Sequence, residues 1–465
     1  MKIRVIGAAG GEVTGSAYLI QTEEASILVD AGMFQGGKSS EEKNQLPQGA
    51  RVTAIDAVLL THGHLDHTGR LPLLIKFGYN NPVLATMPTF DLAKIILADS
   101  ARLQTADAMR RNRKKFRKPG DPVAEPLYTS EHVEYINELA RPVKFNKPTE
   151  VAKGITATWI EAGHMLGSGS IQLKITEYGK TKTAVFSGDL GPLSLPVLRP
   201  YERFHHADLV FMESTYGNRD HKSLKETLAE FEEIVSEVSK SGGKILVPTF
   251  AVGRAQQLIY HLVEMFHRKK VNPFPIYVDS PMAIEAVKIY RKHFDLLDEE
   301  FQELKAAGAF PVSTRYFRAT PSAKESQALN DLTGPMMILA GAGMCNGGRI
   351  LHHLAHNIGN PETQVLIVGF QSYGSLGRKL VDGFEEVKIF GKQYKVKAKV
   401  KTLSGFSAHA GQTDLLNWFA TLAPSKPTVI LTHGEDEQRK TLSGLLKKKF
   451  GVKAVLPKLN EVIEF

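Results

Sequence analysis

Short apolar runs closed by polar turns open the chain: Ile3–Ile6, Ser16–Gln21, Ser26–Asp30 and Ala57–Leu60. Their length and β-branched content predict strands. Residues 88–118 read as a helix ending in a dense basic run, Arg110, Arg111, Arg113, Lys114, Lys115, Arg117 and Lys118. Pro119-Gly120-Asp121-Pro122 then stops it. Strand patterns return at Ile155–Glu161, Ser170–Glu177 and Thr183–Ser187. Up to residue 206 the pattern is that of a strand-rich α/β domain.

From residue 207 the texture changes. Leu209–Met212 leads into a helix with apolar positions Leu224, Leu228, Phe231, Val235 and Val238. The runs Ile245–Val247, Ile276–Val278, Met336–Ala340 and Val365–Val368 then alternate with helical stretches from Arg254 and from Met282. Strands alternating with helices predict a parallel, doubly wound sheet. Beyond Gly377-Arg378 come β segments, Val387–Phe390 and Lys395–Leu403. A helix from Thr413, the strand Val429–Leu431, a helix near Gln438–Lys449 and a last strand complete the chain. The expected segments are 1–206, 207–381 and 382–465.

Apolar runs repeatedly end in a residue able to bind a metal. Asp30, His164, Asp189, Glu213 and His433 each follow such a run directly or within a short turn. Loops at strand ends are where a sheet scaffold gathers functional groups from distant sequence. The densest case is Thr61-His62-Gly63-His64-Leu65-Asp66-His67, placed between the run Ala57–Leu60 and an amphipathic helix start. Imidazole nitrogen and carboxylate oxygen are the ligands that zinc-like cations prefer. Alternation along an extended loop aims His62 and His64 one way and leaves Asp66 and His67 to point elsewhere. Two pairs of ligands suit two neighbouring metals.

Composition narrows the setting. The 42% hydrophobic and 23% charged fractions are those of an ordinary globular protein. No apolar leader opens the chain and no segment reaches 18 apolar residues, so neither a signal peptide nor a membrane span is expected. The single cysteine, Cys345, leaves no intramolecular disulfide and fits a cytoplasmic location. A net charge of +9 is permissive for polyanions without identifying one.

His62-x-His64-x-Asp66-His67, with Asp30, His164 and Asp189, resembles the metallo-β-lactamase superfamily. Glu213, Ser407-Ala408-His409-Ala410 and Leu431-Thr432-His433-Gly434 resemble the three additional motifs of the β-CASP nucleases. Pro248–Gln256, Gly343–Arg349 and Gly369–Arg378 agree, so the resemblance spans nearly the whole chain. It is strongest to compact bacterial ribonucleases related to the eukaryotic endonuclease that processes pre-mRNA 3′ ends. The fold it implies is an α/β one. An αββα metallo-β-lactamase sandwich carries an inserted β-CASP domain at 207–381, with substrate in the cleft between them.

Carried over residue by residue, the resemblance puts His62, His64 and His164 on one zinc, Asp66, His67 and His433 on a second, and Asp189 on both. Manganese is an open alternative. It implies hydrolysis of single-stranded RNA by a two-zinc hydroxide mechanism, endonucleolytic or 5′–3′ exonucleolytic. His409 would be the proton donor, Glu213 its partner, and Asp30 the residue that orients a ligand imidazole. Ser407, Ser372, Arg254, Arg378 and the glycine-rich Gly341–Arg349 segment are candidates for phosphate binding, and Arg110–Lys118 for tracking the RNA backbone. Two other functions are weighed: a small-molecule metallo-hydrolase of the same superfamily, and a non-catalytic RNA-binding scaffold. Filled ligand positions and the extra motifs argue against both. No residue separates RNA from DNA, or a monomer from a homodimer.

Overall fold

A computed structural model of the chain describes residues 1–36, 42–47, 49, 51–113, 123–193, 196–306, 316–369, 371 and 374–464. It divides into two compact units: Met1–Leu193 with Pro200–Asp220 and His409–Phe465, and Ser194–Arg199 with His221–Ala408.

In the first unit two seven-stranded sheets form a sandwich. One has the order Val462–Glu464, Lys2–Val5, Tyr18–Gln21, Ser26–Val29, Ala57–Leu59, Val83–Thr86, Ala140–Val143. The other has the order Ala454–Val455, Thr428–Thr432, Leu209–Glu213, Lys180–Phe186, Gly169–Glu177, Ile155–Glu161, Thr149–Ala152. Side chains alternate across each strand. Ile27, Val29, Phe186 and Phe211 enter the core between the sheets, while Leu28, Val185 and Val210 enter the cores on their outer faces. Helices Leu71–Lys76 and Met87–Arg111 cover one sheet, and Gln412–Ala420 and Asp436–Phe450 cover the other. This is the expected αββα sandwich. Phe186 stacks on Phe211 at 4.7 Å, and the fully buried Trp159 donates its Nε1–H to Leu60 O (3.1 Å) across the sheets.

The second unit has a six-stranded parallel sheet in the order Phe317–Ala319, Ile276–Asp279, Met336–Ala340, Lys244–Pro248, Thr363–Ile367, Lys399–Thr402, with a separate hairpin Glu386–Ile389/Lys392–Lys395. Helices alternate with these strands, as the inserted α/β domain requires. The divisions fall at 220/221 and 408/409, where the sequence pattern suggests 206/207 and 381/382. The strand Leu209–Glu213 pairs in parallel with Lys180–Phe186 and Thr428–Thr432, which draws it into the sandwich. The strand Lys399–Thr402 pairs with Thr363–Ile367, which draws it into the second unit. The long helix of the sandwich stops at Arg111 with Asn112 as its C-cap, earlier than 118.

At the end of Ile276–Asp279 the buried Asp279 carboxylate accepts hydrogen bonds from Thr320 Oγ1 (2.6 Å), Ser326 Oγ (2.6 Å), Arg349 (2.7 Å) and His353 Nε2 (2.7 Å). Burial alone would raise its pKa. The His353, Ser326, Thr320 and Arg349 donors outweigh that and hold it at about 2 against an ordinary 3.8. A depressed carboxylate stabilises the fold above its unfolded pKa and loses that contribution as pH falls through the folded one. Asp279→Asn is therefore expected to cost about 3 kcal/mol near neutrality, the scale of a broken buried ion pair. It should also flatten the loss of stability between pH 4 and 2; thermal melts across that range measure both.

Candidate metal centre

The ligand loop is fixed by its backbone before any side chain matters. The strand Ala57–Leu59 lies parallel between Ser26–Val29 and Val83–Thr86, so its end and that of Ser26–Val29 come out side by side. There Asp30, at φ 57°, turns its carboxylate onto Thr61, accepting from Thr61 N and Oγ1 at 2.8 Å each. His62, Gly63 and His64 follow; His64, with extended dihedrals, caps the four-residue helix Leu65–Thr68, which carries Asp66 and His67. The helix is pinned by Ser16 N to Asp66 O (2.9 Å) and Ala31 N to His67 O (2.8 Å). A Cβ on Gly32 would sit 1.6 Å from Asp66 O, so only glycine allows this approach. The buried Arg70 guanidinium donates to Gly32 O and to Gly15 O, tying the surrounding turns together.

Side chains from three further strand ends meet this loop: His164 after Ile155–Glu161, Asp189 after Lys180–Phe186 and His433 after Thr428–Thr432. Ligand atoms of His62, His64, His164 and Asp189 lie within 4.8 Å of one another, as do those of Asp66, His67 and His433. Asp189 stands between the groups. Its Oδ2 is 3.5 Å from His62 Nε2 and 3.6 Å from His164 Nε2; its Oδ1 is 3.2 Å from His67 Nε2 and 3.5 Å from His433 Nε2. His433 Nε2 is also 3.5 Å from Asp66 Oδ2, and His64 Nδ1 is 3.1 Å from His164 Nε2. Tetrahedral ligands at about 2.0–2.2 Å from a zinc ion stand roughly 3.3–3.6 Å apart, which matches these spacings. Although so close, His62 Nε2, Asp189 Oδ1 and His433 Nε2 are buried without a hydrogen-bond partner among the described residues. Buried polar atoms left unpaired at such a cost are what cationic partners would satisfy. The donor set fits two divalent cations.

The other ring nitrogens are held from behind. His67 Nδ1 is 2.7 Å from Asp30 Oδ2, His62 Nδ1 is 3.1 Å from Thr61 Oγ1, and His433 Nδ1 is 3.0 Å from Thr215 Oγ1. Such contacts set which nitrogen faces a metal. Burial holds His62 neutral, its pKa well below the ordinary value, and lowers His64 to about 4. For His67 burial acts in the same direction, but Asp189 and Asp30 outweigh it and raise its pKa well above the ordinary value. A cation held at His67 would displace a proton.

Beside the cluster, the buried Glu213 closes the strand Leu209–Glu213. Its Oε1 accepts from Leu190 N (2.7 Å) and lies 3.3 Å from His409 Nδ1. His409 is partly open, with 22% of its side chain exposed, and its Nδ1 is 4.0 Å from Asp189 Oδ2. Burial lowers the His409 pKa, but the Glu213, Asp189 and Asp66 carboxylates outweigh it and raise it to about 9. Two bound cations would oppose that rise.

All ten sequence-predicted residues from Asp30 to His433 thus gather in the first unit. The phosphate candidates belong elsewhere. Ser407, Arg254 and Arg378 lie in the second unit, and Ser372 falls outside the described residues. Arg254 is buried and donates to Gln257 Oε1 (2.7 Å); Arg378 Nε pairs with both oxygens of Asp382 (2.9 and 3.0 Å). In the Gly341–Arg349 turn the amides of Ala342, Cys345 and Ile350 bond to carbonyls of the same turn, and Arg349 serves Asp279. Arg110 and Arg111 pair with Asp107; Lys114, Lys115, Arg117 and Lys118 lie outside the described residues. Sequence reasoning missed Thr61, Thr215 and Arg70. The threonines carry the only signal, each adjacent to or two residues from a predicted site residue.

Known proteins resemble the chain over nearly its whole length. Residues 10–233 match the family model of the metallo-beta-lactamase superfamily, 255–380 that of the Beta-Casp domain, and 393–457 that of the Zn-dependent metallo-hydrolase RNA specificity domain. The chain is 39% identical over 446 residues to "Ribonuclease TTHA0252" of Thermus thermophilus, covering 96% of both chains. It is 30% identical over 466 residues to "Transcription termination factor FttA" of Methanocaldococcus jannaschii, covering 98% of this chain and 70% of that one. A crystal structure of a protein of unknown function from Enterococcus faecalis shares the fold, with a TM-score of 0.53 at 12% identity and 99% coverage of both chains.

Proposed function

Because the chain belongs to the β-CASP family of the metallo-β-lactamase superfamily, we propose that it is a metal-dependent ribonuclease that cuts single-stranded RNA internally. The observation that carries this reading is Asp189, whose two oxygens face separate groups of ligand atoms while Glu213 and His409 stand alongside. A relative named a ribonuclease and the matched RNA specificity domain support RNA as the substrate.

In this reading His62, His64 and His164 hold one zinc, Asp66, His67 and His433 hold the other, and Asp189 serves both. Such a pair supplies a nucleophile active at neutral pH and takes up charge on phosphoryl oxygens. Asp30, Thr61 and Thr215 keep the imidazoles aimed. The Glu213 carboxylate holds Nδ1 of His409, which leaves Nε2–H to protonate the departing ribose oxygen.

A time course on 5′-labelled single-stranded RNA tests the proposal. Internal fragments should appear first. Labelled mononucleotide released at once would replace the endonuclease with a 5′ exonuclease, and intact RNA would refute ribonuclease activity. Thr215→Val keeps the shape but removes the hydroxyl at His433 Nδ1. It is expected to raise the zinc dissociation constant about 10–100-fold in chelator competition, as loss of such an outer contact does.

A further inference from the structure

Phe250 is 46% exposed, yet two neighbouring loops of the second unit pack against it. It follows Lys244–Pro248, the strand between Met336–Ala340 and Thr363–Ile367 in the parallel sheet. Thr249 N bonds to Ala340 O (3.1 Å), and Thr249 Oγ1 donates to Phe250 O (3.1 Å), which fixes the ring's backbone. The loops leaving both flanking strands supply glycine beside the ring. A Cβ on Gly343 would lie 2.9 Å from Phe250 Cδ2 and Cε2, and one on Gly369 3.8 Å from Cε2. The buried Gln371 Nε2 donates to Gly343 O (2.9 Å) and Gly369 O (3.2 Å), stapling the two loops together.

A single exposed phenylalanine is ordinary. One seated on glycine backbone, with a buried amide tying that seat together, is a held surface. It also stands at the C-terminal edge of a parallel sheet, where such sheets bind ligands. Burying a phenylalanine stabilises a fold, a gain this ring partly forgoes. What fits an exposed aromatic ring seated on glycine backbone in a chain of net charge +9 is a flat base on a polyanionic strand. We propose that Phe250 is a stacking platform for one unpaired base of the RNA. The proposal rests on the ribonuclease reading and adds a binding residue to it.

The test is fluorescence anisotropy with a short labelled oligoadenylate, in an Asp66→Ala background that leaves the RNA intact. Inorganic polyphosphate serves as a polyanion without bases. Stacking contributes about 1–3 kcal/mol per base, so Phe250→Ala should weaken oligoadenylate binding roughly tenfold. Phe250→Leu should weaken it similarly, Phe250→Trp should preserve it, and polyphosphate should bind all variants alike. Unfolding midpoints should stay together, since the ring is half exposed. Unchanged oligoadenylate binding by Phe250→Ala would overturn the platform and leave the ribonuclease reading standing. Equal losses for polyphosphate would also overturn it. If the parent binds no oligoadenylate at all, both proposals fail.

Discussion

Asp189→Asn is expected to cut RNA hydrolysis on the order of 10⁴-fold and to lower bound zinc from two equivalents to one or fewer. The substitution preserves volume and removes only the charge. In the present geometry each carboxylate oxygen faces its own group of imidazoles, at 3.2–3.6 Å, and an amide offers one oxygen and one N–H in their place. Its N–H₂ would point a donor at atoms that must themselves donate electron pairs to a cation. Metal content by atomic emission after dialysis gives the stoichiometry, and initial rates on labelled RNA give the loss. Retention of both equivalents would remove Asp189 from the position assigned to it.

His409→Gln is expected to lower kcat about 10²–10⁴-fold, the usual contribution of a general acid, while zinc content and KM stay near their parent values. A leaving group that needs no proton separates this role from a structural one. Bis-para-nitrophenyl phosphate releases nitrophenolate unaided, so its hydrolysis should fall little in the same variant. Glu213→Gln acts through His409. The histidine's pKa is raised chiefly by that carboxylate working against burial, so the protonated form persists below it and is lost as pH rises through it. Removing the charge lowers that pKa. The alkaline limb of the pH–rate profile should then move to lower pH, which a purely structural role of Glu213 would not produce.

Much of this centre was legible because chemistry and pattern coincide. Asp30, His164, Asp189, Glu213 and His433 stand just after apolar runs, and the runs proved to be strands whose ends converge. The split of His62 and His64 from Asp66 and His67 follows from a change of backbone, extended before Leu65 and helical after it. Hydroxyls such as Thr61 and Thr215 carry no pattern, since a threonine beside a ligand looks like any other. Their roles exist only once Asp30 or His433 has been brought within 3 Å or so by tertiary structure.

The compact units divide at positions the pattern does not mark, for a related reason. Leu209–Glu213 is buried on both faces and would suit either sheet; its partners, 25 residues before it and 219 after it, decide. Asp279 reads as an ordinary acid at a strand end, and only the convergence of Thr320, Ser326, Arg349 and His353 makes it the buried hub of its unit. The partner of Arg378 is readable from the sequence alone, because Asp382 stands four residues on.

On the proposed mechanism, hydrolysis of RNA needs two cations held by one continuous cluster. Its most direct test is a titration of zinc into chelator-stripped protein with RNA cleavage followed at each addition. Little cleavage is expected in the stripped protein, with a rise that levels off at two equivalents per chain. Cleavage that survives stripping, or that saturates at one equivalent, would contradict it.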